Sequence, residues 1–93
     1  MAVGVLIEFP GTAEQYDQVN EKMGMGDDQP QGMLVHTAAE VEDGSMRIMD
    51  VWESADAFES FSENRLGPAV GEVVGELQPS RREIFELHNF VRA

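Results

Sequence analysis

The chain echoes itself at a fixed distance. Thr12 and Ser54 are each placed to cap a helix, and 42 positions separate them. The same offset links Glu14 with Asp56, Tyr16 with Phe58, Val19 with Phe61 and Glu21 with Glu63. Each matched stretch follows an alternating apolar run, and that pattern belongs to strands, whose side chains have a period of two. Residues 3–9 alternate Val3, Val5, Ile7, Phe9 against Gly4, Leu6, Glu8, and Pro10-Gly11 ends the run. Thr12 and Gln15 form a capping box for the first helix, which carries Ala13, Tyr16, Val19 and Met23 on one side. A loop over 24–32 contains Asp27-Asp28, and strands follow over 33–41 and 45–53, split by Asp43-Gly44. Ser54 opens the second helix with Phe58 and Phe61 on one side. Gly67-Pro68 breaks it, and Pro68 starts a short helix through Val74. Gln78-Pro79-Ser80 reads as a turn before a fourth strand over 82–91. Two βαβ halves in this order predict a ferredoxin-like α+β fold, βαββαβ, with a four-stranded antiparallel sheet and both helices on one face.

Residues 1–93 make one domain, and a core this small is marginal alone. There is no cysteine to staple it, so tight packing or self-association must add stability. Eighteen acids against six Lys and Arg give a net charge of −12, which speaks against nucleic acid or an anionic membrane as partner. The N-terminus has no basic stretch before its short apolar run, so neither a signal peptide nor a membrane span is expected. A cytoplasmic protein fits these features.

Asp43-Gly44, read as a two-residue hairpin turn, sets a register. Opposed residues then have numbers summing to 87: Glu40 faces Arg47 as an ion pair, and His36 faces Val51. Thr37 faces Asp50 and Val35 faces Trp52 on the other side of the sheet. The offset of 42 carried onto the first strand puts Ile7 and Phe9 with His36, and Leu6 and Glu8 with Trp52. Both sheet faces are then largely apolar while the helices can cover only one. A second copy of the chain is the expected cover for the other, giving a homodimer.

The segment from Asp50-Val51-Trp52-Glu53-Ser54 to Phe58, continuing to Arg65-Leu66-Gly67-Pro68, resembles the dimeric α+β barrel superfamily, in particular its antibiotic-biosynthesis-monooxygenase-like branch. The resemblance implies two sheets packed face to face, with an apolar pocket between each sheet and its helices. It further implies either oxidation of polycyclic phenols by O₂ without metal or flavin, or haem degradation. Trp52 matches the pocket tryptophan of the cofactor-free oxygenases; their pocket asparagine is Ile48 here, and their helical tyrosine is Phe58. The stretch near Glu63 has no counterpart to the helical histidine of the haem-degrading branch.

The residues themselves offer limited chemistry. Asp50 sits between Ile48 and Trp52 on an apolar face, where burial favours a proton acceptor, and Thr37 opposite would hydrogen-bond it. Glu8 is its weaker echo. His36 is the second candidate base; packing is the competing account of it. His88 falls in the last strand. Trp52, Phe58, Val35 and Thr37 are the expected walls of a pocket for a small apolar or aromatic molecule. No cofactor-binding or metal-ligand pattern is present, and Asp27-Asp28 reads as a solvated loop. Two functions follow. One is a cofactor-free enzyme, monooxygenase-like or a cyclase or isomerase. The other is a non-catalytic binding or accessory protein.

Overall fold

A computed structural model describes residues 2–41, 44–75 and 79–92. The elements are β1 (Val3–Pro10), α1 (Ala13–Met23), β2 (Met33–Glu40), β3 (Ser45–Trp52), α2 (Ala55–Phe61), a π-helical turn (Ser62–Leu66), α3 (Gly67–Val74) and β4 (Arg81–Glu86). The strands form one antiparallel sheet in the order β2-β3-β1-β4. This is the ferredoxin-like α+β fold expected from the repeated half.

The helix starts follow their caps. The Thr12 hydroxyl accepts from the Gln15 backbone N–H at 3.1 Å, and the Thr12 N–H donates to the Gln15 side chain at 3.0 Å. Two of the donors that a helix start leaves unpaired are thereby satisfied. Gly24 ends α1 with φ of 69°, a left-handed cap that favours glycine. Ser54 caps α2 through the Ala57 N–H. The matched pairs of the echo point inward alike: Val19 and Phe61 are both buried, Phe58 and Phe61 join the core on the sheet, and Tyr16 is half-buried against it.

Gly67-Pro68 does not break the second helix. The chain passes through a wide turn in which the Gly67 N–H bonds the Ser62 carbonyl five residues back, and α3 continues from it. A proline inside a regular helix lacks its donor and crowds the carbonyl four residues earlier. A π turn just ahead of Pro68 keeps the path helical without requiring that bond.

The hairpin differs from expectation by one residue. His36 pairs with Asp50, Ala38 with Ile48 and Glu40 with Met46. Val41 donates to Ser45, Gly44 donates to Val41, and Gly44 has φ of 78°. These bonds mark a three-residue connection with glycine in its left-handed position, another common solution for a hairpin. Glu42 and Asp43 lie outside the described residues. A slip of one turns the side chains from Val35 to Glu40 to the other face, while an irregularity between Met33 and Val35 keeps Met33 on the side of Trp52. The expected Glu40–Arg47 pair is therefore absent: Arg47 instead meets Glu8 across β1 and β3 at 3.0 Å.

The first strand is also in opposite phase to the echo. Val3, Val5, Ile7 and Phe9 pair with Trp52, Asp50, Ile48 and Met46, and this face is the one under the helices. The last inward residue of β1, Phe9, is three positions before its cap, whereas Trp52 is two before Ser54. The repeat holds between helices and fails between strands because Pro10-Gly11 lengthens the first connection by one. The fourth strand is shorter than expected and ends at Glu86, leaving His88 exposed beyond it.

Under the helices the core is Val3, Val5, Ile7, Ile48, Trp52, Phe58 and Phe61. Trp52 meets Phe58 edge-on at 5.5 Å and Phe61 at 5.1 Å. The opposite face of the sheet carries Leu6, Val51, Val35, Met49 and Phe85, and among the described residues no helix or strand lies over them; Met49 is 55% exposed and Phe85 46%. The Phe85 ring lies over Gly4, where any side chain would collide with it.

Candidate functional site: a hydrogen-bonded chain facing an apolar cavity

Between sheet and helices lies a cavity of about 710 Å³. Its sheet side includes Ile7, Phe9, His36, Ile48 and Asp50, and α1 contributes Tyr16, Val19, Asn20 and Met23. Phe58, Phe61 and Ser62 come from α2 and the π turn, and Gly67, Val70 and Gly71 from α3. Asn20, Ser62 and Arg82 are spread along the mostly apolar wall, and its remaining polar groups, Tyr16, His36 and Asp50, gather on the side of β2 and β3, the usual composition of a small-molecule site.

Those polar groups form one chain. The Tyr16 hydroxyl is 2.6 Å from His36 Nε2, and His36 Nδ1 is 2.8 Å from Asp50 Oδ1. The Trp52 indole N–H donates to Asp50 Oδ2 at 3.1 Å, and the Thr37 backbone N–H points to Oδ1 at 3.4 Å. An ionised carboxylate only accepts, so Nδ1 of a neutral His36 carries the proton and Nε2 accepts from Tyr16. Asp50 is buried among these donors and His36 is half-buried above it. The register of the hairpin produces this contact, because it makes His36 and Asp50 directly opposed residues of one face. Burial holds the Tyr16 hydroxyl above its ordinary value of 10.0, with the charges of Asp50 and Asp17 adding to the effect. Tyr16 is therefore a protonated hydroxyl at neutral pH.

The expected site residues divide. Asp50, His36 and Phe58 reach the cavity. Trp52 is buried behind it, in contact with the lining residues Asp50, Phe58 and Phe61. Val35 and Thr37 are turned to the uncovered face by the hairpin slip; the Thr37 hydroxyl bonds the Met49 carbonyl at 2.7 Å. Glu8 lies on that uncovered face too, held by Arg47. Tyr16, Asn20, Ser62 and Arg82 were not foreseen at the cavity. A signal for Tyr16 existed, since a tyrosine on the buried side of a helix needs a partner for its hydroxyl. Arg82 lies over the Phe58 ring at 5.5 Å and pairs with Glu59. Arg65 ties the end of α1 to the following loop by donating to the carbonyls of Met23, at 2.6 Å, and Asp28, at 2.8 Å. Among the described residues no three His, Asp or Glu side chains converge as a metal site, and no helix is long and apolar enough to cross a membrane.

The four-stranded antiparallel sheet with helices on one face is a fold that the chain shares with solved antibiotic biosynthesis monooxygenase proteins. Among solved structures, the chain superposes on SnoaB, a cofactor-independent oxygenase from Streptomyces nogalater, with a TM-score of 0.70 at 16% identity, over 99% of this chain and 98% of that one. It superposes on a protein inferred to be an antibiotic biosynthesis monooxygenase from Chloroflexus aurantiacus with a TM-score of 0.67 at 16% identity, over 98% of each chain. A similarly described protein from Deinococcus radiodurans gives 0.61 at 15% identity, over 100% of this chain and 98% of that one. No sequence-family profile matches the chain, and no curated protein does.

Proposed function

We propose that the protein is a cofactor-free, monooxygenase-like enzyme acting on a flat apolar or aromatic metabolite that carries an acidic hydroxyl or its keto tautomer. The observation that carries this reading is the Tyr16–His36–Asp50 chain at the wall of an apolar cavity large enough for fused rings. Its fold is shared with a cofactor-independent oxygenase.

The chain of hydrogen bonds supplies a route for one proton. A substrate hydroxyl donates to the Tyr16 oxygen, and Tyr16 passes its own proton to His36 Nε2. The result is a substrate anion and an imidazolium held by Asp50. The electron-rich anion then reduces O₂ and combines with it as a hydroperoxide, the proton returning from His36. Loss of water leaves a carbonyl where a CH₂ stood, so one O₂ gives one product oxygen and one water. The protein's part is to exclude bulk water and hold the proton. Asp50 keeps the imidazole in the tautomer that can accept it, and the Trp52 and Thr37 N–H groups fix the carboxylate.

The uncovered face supports a homodimer as the working form, because Met49, Phe85 and Val35 are exposed apolar side chains on a face that no described helix covers. A cytoplasmic location goes with this reading, since a chain without cysteine has no use for an oxidising compartment. Oxygen uptake in the presence of anthrones tests the reaction. Uptake by the wild type and its loss in Asp50→Asn are expected; binding of the same compounds with no uptake would leave a non-catalytic binding protein.

A further inference from the structure

The helix α3 stands apart from the rest of the fold. Every other strand and helix, and the π turn through Leu66, places a side chain in the core cluster or packed against it; α3 alone among the described elements places none. It packs chiefly on α1 and the π turn rather than on a strand, with Ala69 as its buried residue. Where α1 and α2 reach the sheet, α3 borders the cavity instead, through Gly67, Val70 and Gly71. Its attachments are weak. The Lys22–Glu72 pair joins it to α1 at 3.4 Å, but the two side chains are 57% and 64% exposed, and a pair in water holds little. A helix of eight residues has little stability of its own, and a glycine within it lowers that further. Packing does not demand Gly71: apart from the helix backbone, a Cβ there would meet nothing within 4 Å. Both ends of α3 are built to yield. The π turn leads in with its looser hydrogen bonding, and Gly75 leaves at φ 75° and ψ −143°, a region that glycine alone enters readily.

We infer that α3 is the gate of the cavity: it loosens locally between the π turn and Gly75 to admit a small molecule, and re-forms over it. The inference goes beyond the proposed function, since it concerns entry and holds whether or not the bound molecule is oxidised. Opening of this kind leaves the core folded, because the core takes nothing from α3. The Tyr16–His36–Asp50 chain lies on α1, β2 and β3, so it is already set when the ligand arrives.

Hydrogen exchange followed by mass spectrometry tests the gate without any ligand. Peptides covering α3 should exchange about 100-fold faster than those covering Phe58 and Phe61 in α2. Gly71→Ala should slow exchange in α3 by about fivefold, the advantage of alanine inside a helix, and leave α1 and α2 unchanged. Ligand entry is then read by stopped flow. Trp52 is the only tryptophan, and its quenching by 2-hydroxyanthraquinone reports binding beside it. Gly71→Ala should lower the association and dissociation rate constants together by about fivefold and keep Kd within about twofold, because the closed free and closed bound forms gain alike. Lys22→Ala, which cuts the tether from the side of α1, should raise both rate constants by about twofold. Exchange in α3 as slow as in α2 overturns the gate. So does an effect of Gly71→Ala on dissociation alone with a matching change in Kd, since Gly71 would then be a wall contact. A quinone that fails to bind overturns the proposed ligand class, and exchange in α3 then decides the gate by itself.

Discussion

The two faces of the sheet are made from the same alternating strands, yet they meet opposite conditions. The face under the helices buries Trp52, Val5 and Ile48 around one carboxylate, and Asp50 accepts from His36, Trp52 and the Thr37 backbone. The other face presents Met49, Phe85 and Val35 to solvent, with Glu8 and Arg47 paired among them. Hydrophobicity alone does not distinguish the two. What does is the polar content: one face arranges its polar groups into a connected chain of hydrogen bonds, and the other sets a charged cluster of Glu8, Arg47, Arg81 and Glu83 beside its apolar residues. A connected polar chain beside a cavity is how a small-molecule site is built.

The largest expected effect lies on the covered face. Trp52→Ala removes a fully buried ring and the donor to Asp50 Oδ2. Chemical denaturation should show a loss of about 3–5 kcal/mol, in the range of large aromatic deletions from a core. A loss under about 1 kcal/mol would mean that this face is not the principal core.

On the uncovered face, Val51→Asp should break self-association with little change in the helices. Light scattering should fall from twice the chain mass to the 10.3 kDa of one chain. An unchanged mass with a folded circular dichroism spectrum would remove Val51 from any interface.

These two faces also mark where sequence reasoning succeeded and where it stopped. The βαββαβ order and both caps were legible because Thr12, Ser54 and the glycine and proline punctuation act locally. The pocket walls were not, because Asp-Gly serves both a two-residue and a three-residue hairpin. The difference of one residue exchanges His36 and Thr37 between faces. Apolar patterning could not choose between the registers, since Val35 and Met49 make the uncovered face almost as apolar as the covered one. Asp50 was legible as the odd polar residue on an apolar face. Its partners were not, because His36 depends on the register and Tyr16 on how α1 packs.

A pH titration gives a smaller effect on the covered face. The folded protein holds the Tyr16 proton more tightly than the unfolded chain does. The folded state therefore binds more protons as pH passes tyrosine's ordinary value, and stability falls there. The contribution is whole below 10.0 and is lost as pH rises through the raised value. Melting temperatures of the wild type should drop more steeply above about pH 10 than those of Tyr16→Phe, which has no proton to lose. Parallel curves would show Tyr16 to be free of the burial and charge assigned to it.

The smallest effect sharpens the comparison most. Arg47→Ala deletes an ion pair that is partly exposed in a single chain, with Arg47 at 43% and Glu8 at 15%. In an isolated chain such a pair contributes well under about 1 kcal/mol. Glu8 also meets Arg81 at 3.7 Å. Under a second copy of the chain it is therefore the double change Arg47→Ala with Arg81→Ala that would leave Glu8 buried and unpaired, and the loss would then reach about 3 kcal/mol. The size of the change in denaturant midpoint at fixed protein concentration therefore reports whether the face is covered.

The most direct measurement is a crystal structure of the protein with 2-hydroxyanthraquinone. The rings are expected between sheet and helices against Phe58, with the hydroxyl within hydrogen-bond distance of Tyr16 and a second copy of the chain over Met49 and Phe85. Rings lodged instead on the uncovered face between Met49 and Phe85, with the cavity beside His36 unvisited, would contradict the account.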